Sequence, residues 1–165
     1  MKQILREIGS VARCIEAITD VEFREYQLSK NQYIYLVRVF EYPGIILEQL
    51  SDMLKIERST ASRVINRLVE NGFIYKVDKN NTKKKVQLYT TEKSLAALQL
   101  LYRSEEYFNT VALQDFTEEE LEVFASYVHR VSKNLEKDWS ESKRGIPIPI
   151  QKERDLLGVK KEECM

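Results

Sequence analysis

Ser59, Thr60, Ser62, Arg63, Asn66 and Arg67 crowd into nine positions of the chain with no acidic residue among them. Hydroxyls hold phosphate oxygens, and guanidinium or carboxamide groups make two-point contacts with guanine or adenine edges in a major groove. Within the same stretch, Ala61, Val64, Ile65 and Leu68 recur at i, i+3, i+4 and i+7, a spacing that gathers them on one side of a helix. A helix from about Arg58 to Asn71 thus has one face for a core and another for an anion. Small residues at its start let the backbone approach a duplex closely, and the helix N-terminus itself attracts phosphate.

The overall charge of this 165-residue chain is zero, with 26 Lys and Arg against 26 Asp and Glu, which by itself argues against a nucleic-acid partner. Its distribution argues the other way. Between Arg58 and Thr90 eight cations face only Glu70 and Asp78, a local net charge of +6, so the remainder carries an equal negative excess. Such a polarised surface suits a phosphate-rich partner. A solvated face on an ordinary helix bundle has a similar composition. The order of the neighbouring elements separates the two readings.

Those elements are legible from spacing. Ile4, Ile8, Val11, Ala12, Ile15 and Ile18 mark an amphipathic first helix. Ser29 and Gln32 form a capping-box pattern ahead of a second helix through Tyr33, Leu36, Val37 and Phe40, which Pro43-Gly44 ends. Leu47, Leu50 and Leu54 line a short third helix, and Lys55-Ile56-Glu57 is a connection tight enough to turn the fourth helix back across it. After Asn71-Gly72, the segments Phe73–Val77 and Lys85–Tyr89 read as a hairpin with a polar tip, Asp78 to Lys84. A fifth helix is expected from Glu92 to Ala112. Thr117 and Glu120, a second capping box, open a sixth carrying Leu121, Phe124, Val128 and Leu135. The fold class expected from this order is mainly α: a helix-turn-helix followed by a small β-hairpin, flanked by N- and C-terminal helices with apolar faces.

A cluster of lysines at a hairpin tip repels itself unless solvent or an anion compensates it. A wing lying along a phosphate backbone meets that need. The candidate DNA-binding residues are therefore Arg58, Ser59, Thr60, Ser62, Arg63, Asn66 and Arg67 on the fourth helix, with Lys79, Lys83, Lys84 and Lys85 on the wing.

The stretch from Leu28 to Ser94 resembles the MarR family of transcriptional regulators. The matching residues are Leu28–Tyr33, Tyr42-Pro43-Gly44-Ile45, Leu50–Leu54, Ser59–Leu68, Glu70–Ile74 and Thr91-Glu92-Lys93, and the helical order extends the similarity to about residue 140. The resemblance implies a homodimer that binds double-stranded DNA at a pseudo-palindromic operator, commonly as a repressor relieved by a small-molecule effector. It implies a winged helix-turn-helix lobe with a small β-hairpin wing, plus N- and C-terminal helices forming a dimerisation region: one domain over residues 1–144, with a DNA-binding lobe at about 28–90, dimerisation helices at about 2–22 and 92–142, and a C-terminal tail over 145–165. Two departures stand out. Where the family's wing carries an acid followed by arginines, this chain has Thr82-Lys83-Lys84, so its wing is expected to grip phosphate and read little sequence. Ser94 replaces the family's usual glycine, with an effect expected only at the start of the fifth helix.

Other functions find less support. There is no phosphate-cradling glycine loop, nucleophile-base pair or metal cluster, and glycine is scarce, so no enzyme and no cofactor are expected. Two rivals are a winged-helix module that binds protein instead of DNA and a regulator sensing oxidants through a cysteine. Cys14 sits beside the first helix's apolar stripe, only fourteen residues before Leu28, closer than in relatives that sense through a first-helix thiol. Tyr26, Tyr33, Tyr35, Phe40, Tyr102, Tyr107 and Phe108 could line an effector cavity of the kind the resemblance implies, or simply pack a core. No apolar run approaches the roughly 18 to 20 residues of a membrane span, and no signal-peptide core opens the chain, so a cytoplasmic protein is expected.

Overall fold

The computed structural model describes residues 3–26, 28, 32–78 and 85–147. The chain forms two units, divided at Gln114 and Asp115. The first begins with α1 (Ile4–Glu22) and a 3-10 turn (Phe23–Tyr26), followed by α2 (Gln32–Glu41), α3 (Leu47–Met53) and α4 (Arg58–Glu70). Strands β1 (Ile74–Val77) and β2 (Gln87–Thr90) and helix α5 (Ser94–Ala112) complete it. The second unit holds α6 (Glu118–Lys143).

One core joins α2, α3, α4, the hairpin and α5. Leu36 and Val39 of α2 and Leu50 of α3 are sealed from solvent together with Ala61, Ile65 and Leu68 of α4. Phe73, Ile74, Leu88, Ala97, Leu98 and Leu101 close the cluster from the wing and α5. Tyr35, an effector-cavity candidate by sequence, belongs to this core at 1% exposure. The 3-10 turn has no counterpart in the sequence pattern. It exists because Phe23 is pulled inward, stacking on Tyr33 at 5.7 Å between ring centroids.

The strands pair antiparallel, Ile74 with Thr90 through Val77 with Gln87, one or two residues later than the spacing alone suggests. The reason is a third backbone stretch. Gly44 N–H donates to the Leu88 carbonyl at 2.9 Å, and Leu88 N–H donates to Ile45 at 3.0 Å, so the α2–α3 turn fixes where β2 begins. Gly44 holds φ +87°, and a Cβ there would stand 3.0 Å from the Tyr89 hydroxyl, so any side chain would meet both strain and a clash.

Ser94 reaches further than the start of its helix. Fully buried, its hydroxyl donates to the Phe73 carbonyl, while Thr91 Oγ1 donates to Gly72 O at 2.7 Å and Lys93 Nζ to Asn71 O at 2.7 Å. These bonds bolt the head of α5 to the turn between α4 and β1. The expectation of a purely local effect at Ser94 is corrected accordingly.

Thr117 and Glu120 cap α6 as the sequence predicts. Thr117 Oγ1 accepts from Glu120 N at 3.3 Å, and Glu120 Oε2 accepts from Thr117 N at 2.9 Å. Ser29 of the other capping box, and most of the tail over 145–165, lie outside the described residues.

Candidate nucleic-acid interface

The geometry of α4 is set at both ends by backbone chemistry. Lys55 adopts φ 55°, which stops α3, and Ile56 N–H returns to the Ser51 carbonyl at 3.0 Å to tighten the turn. Glu57 is non-helical, at φ −58° and ψ 134°, and its carbonyl receives the first bond of α4 from Ala61 at 2.9 Å. At the far end Gly72, with φ +74°, lets Phe73 N–H reach back to Leu68 O at 2.8 Å, which ends the helix and launches β1.

Ala61, Ile65 and Leu68 face the core, so the opposite arc of α4 must face outward. Ser59, Arg63, Asn66 and Arg67 occupy that arc and are exposed; Arg58 is exposed as well, at the helix start. Thr60 and Ser62 are half-buried on its two flanks. Arg63 Nη2 donates to Thr60 Oγ1 at 3.3 Å, a long bond that leaves most of the guanidinium fork directed at solvent. No carboxylate occurs along α4 before Glu70. The arc therefore offers hydroxyls, one carboxamide and two guanidinium groups on a rigid element seated on the core.

Of the wing candidates, Lys85 is exposed at the approach to β2, and Lys79, Lys83 and Lys84 lie outside the described residues. Lys76 is the residue the sequence-based site set omits. Alternation along β1 puts it on the same side as the buried Ile74, toward α4. There its ammonium donates to Asn66 Oδ1 at 2.6 Å. The available signal was that alternation, but the partner, ten residues away on another element, had no signature in spacing. Lys76 shares a cleft of about 180 Å³ with Arg58, Ser62 and Glu48, at the junction of α3, α4 and the hairpin. On the other face of the hairpin, Tyr75 and Tyr89 stack at 5.4 Å and stiffen the base of the wing.

Residues 28–86 match the MarR family. The uncharacterized HTH-type transcriptional regulator YybA of Bacillus subtilis is 46% identical over 145 residues, covering 88% of this chain and 97% of its own length. This chain belongs to the MarR family. A regulator from Listeria monocytogenes assigned to the MarR family, crystallised with a 26mer DNA, superposes with a TM-score of 0.86 at 45% identity, over 90% of this chain and 99% of its own. A MarR protein from Peptoclostridium difficile gives 0.80 at 34% identity, over 85% and 92%. The winged-helix architecture is thus that of MarR regulators, and these relatives are transcriptional regulators, not enzymes.

Away from α4, the aromatic candidates separate into groups. Tyr26 and Tyr33 pack partly buried against the core. Phe40 and Tyr102 form a tilted pair at 6.3 Å between α2 and α5, and Tyr107 and Phe108 meet edge to face at 5.9 Å on α5. Ile18 of α1 and Leu100, Arg103, Ser104, Tyr107 and Phe108 of α5 line an open cleft of about 270 Å³. Beside the Phe40–Tyr102 pair, desolvation raises the Glu105 carboxyl above its ordinary value; Glu41 pushes in the same direction and Arg38 opposes. Cys14 is exposed on α1. No described helix is long and apolar enough to cross a membrane.

Proposed function

We propose that this MarR-family chain is a cytoplasmic, DNA-binding repressor that acts as a homodimer on a pseudo-palindromic operator. The observation that carries the reading is the outward arc of α4: Ser59, Arg63, Asn66 and Arg67 exposed together, with the opposite stripe sealed in the core. Arg63 is the principal base or phosphate contact. Arg58, Ser59, Thr60, Ser62, Asn66 and Arg67 support it, and Lys79, Lys83, Lys84 and Lys85 attach the wing to the phosphate backbone. The Listeria regulator crystallised with DNA, at 45% identity, supports the DNA-binding reading.

Dimerisation draws support from the terminal helices. Ile4, Leu5, Val11 and Val21 of α1 are each more than half exposed, and no residue of α6 is buried. A second copy supplies the missing cover, placing two recognition helices in successive major grooves roughly 34 Å apart. On this reading residues 1–144 are one working domain, with the lobe at 28–90, dimerisation helices at 2–22 and 92–142, and the tail at 145–165. The cleft between α1 and α5 supports an effector: apolar walls with one guanidinium, Arg103, suit a small aromatic or aliphatic carboxylate.

Fluorescence anisotropy with fragments selected from the source genome, at two salt concentrations, tests the proposal. Specific binding that weakens steeply with salt is expected. Absence of salt-sensitive duplex binding would favour the protein-interaction module instead.

A further inference from the structure

We infer that Lys76 is a positioning residue that decides what Asn66 reads, turning its donor end toward DNA. The inference rests on the DNA-binding reading above. An ammonium carries donors and no acceptor, so the group that meets Lys76 Nζ at 2.6 Å is the carboxamide oxygen of Asn66 and not its nitrogen. The usual ambiguity of an amide's orientation is removed by that partner. With Oδ1 held toward β1, the NH2 end is the part of Asn66 left facing outward from the exposed arc of α4.

The consequence is chemical. An untethered asparagine reads adenine with two contacts, accepting from N6 and donating to N7. Asn66 with its oxygen engaged by a cation is poorly placed to accept, and its remaining donors match edges that only accept: guanine N7 and O6, or thymine O4. The bond also joins β1 to α4, so the wing and the recognition helix approach DNA in one frame. Lys76 lies in the cleft with Arg58, Ser62 and Glu48, the last being the one carboxylate among its described lining residues.

Selection from a randomised duplex library, followed by affinity measurements on single-base variants, tests this with wild type, Lys76→Met, Lys76→Arg, Asn66→Ala and the Lys76→Met/Asn66→Ala double variant. Wild type should prefer guanine or thymine at one position of each half-site. Lys76→Met should shift that position toward adenine by about tenfold, leaving the others unchanged. Lys76→Arg, which keeps a donor, should restore the preference, and in the Asn66→Ala background Lys76→Met should alter no base preference. If Lys76→Met does not fold, Asn66→Asp serves instead: it keeps an acceptor for Lys76 but has no outward donor, so the preference should vanish. Retention of the preference in Asn66→Asp or Lys76→Met would overturn the inference. So would an equal loss on all sequences with a salt slope lower by about one and full additivity with Asn66→Ala, which marks Lys76 as a phosphate contact of its own. If wild type itself shows no salt-dependent duplex binding, the DNA-binding reading falls, and the inference with it.

Discussion

Ala61, Ile65 and Leu68 of α4 are at most 1% exposed, whereas Ile4, Ile8 and Val11, at the same i, i+4, i+7 spacing on α1, are 39–58% exposed. Both helices announce an apolar face by the same periodicity. In α4 that face meets α2, α3 and β1 within the chain; along α1 it stays open. Periodicity specifies that a face exists, and the supply of neighbours decides what it meets. The core of the first unit closes on itself, while the apolar face of α1 does not.

Breaking the lobe should have the largest effect. Leu50→Ala removes a side chain with no exposure from the junction of α3 and the core, and should cost about 2–5 kcal/mol. Urea denaturation should show the same loss at any protein concentration once the fully associated state is populated. On α1, by contrast, Ile8→Ser with Val11→Ser should leave the lobe folded and weaken self-association by about 2–3 kcal/mol, read by sedimentation across a dilution series. Unchanged association would mean that these faces are covered by something other than a second copy. Thr117→Ala, which removes the α6 cap, should cost about 1 kcal/mol, measured by thermal unfolding.

The smallest effect lies on α5, at Glu105. Because the folded protein holds the Glu105 proton more tightly than an unfolded chain does, the carboxylate disfavours folding at neutral pH. Stability from this group is fully present below the ordinary carboxylate range and is lost as pH rises through the raised value. Glu105→Gln should therefore raise the melting temperature at pH 7, with the gain shrinking on acidification. An equal gain at pH 7 and pH 4 would assign the effect to something other than titration.

Features that depend on near neighbours in sequence were legible. The core stripe of α4 and the Thr117–Glu120 box required only residue type and spacing, and both appear where expected. Features made by distant segments were not. The 3-10 turn at Phe23 follows from burial against Tyr33, and the strand register follows from backbone bonds to the α2–α3 turn. The Lys76–Asn66 bond joins two elements that only the folded chain brings together. On the candidate site, the residues of α4 could be read because a helix displays its faces in sequence. Lys76 could be counted as a cation but not assigned a partner.

The most direct measurement is the affinity of Arg63→Ala for a selected operator, alongside its circular dichroism and its oligomeric state. With Arg63 reading or holding DNA from the outward arc of α4, affinity should fall by about tenfold to a hundredfold while fold and self-association stay as in wild type. Undiminished affinity in a folded Arg63→Ala protein would contradict the account at its centre.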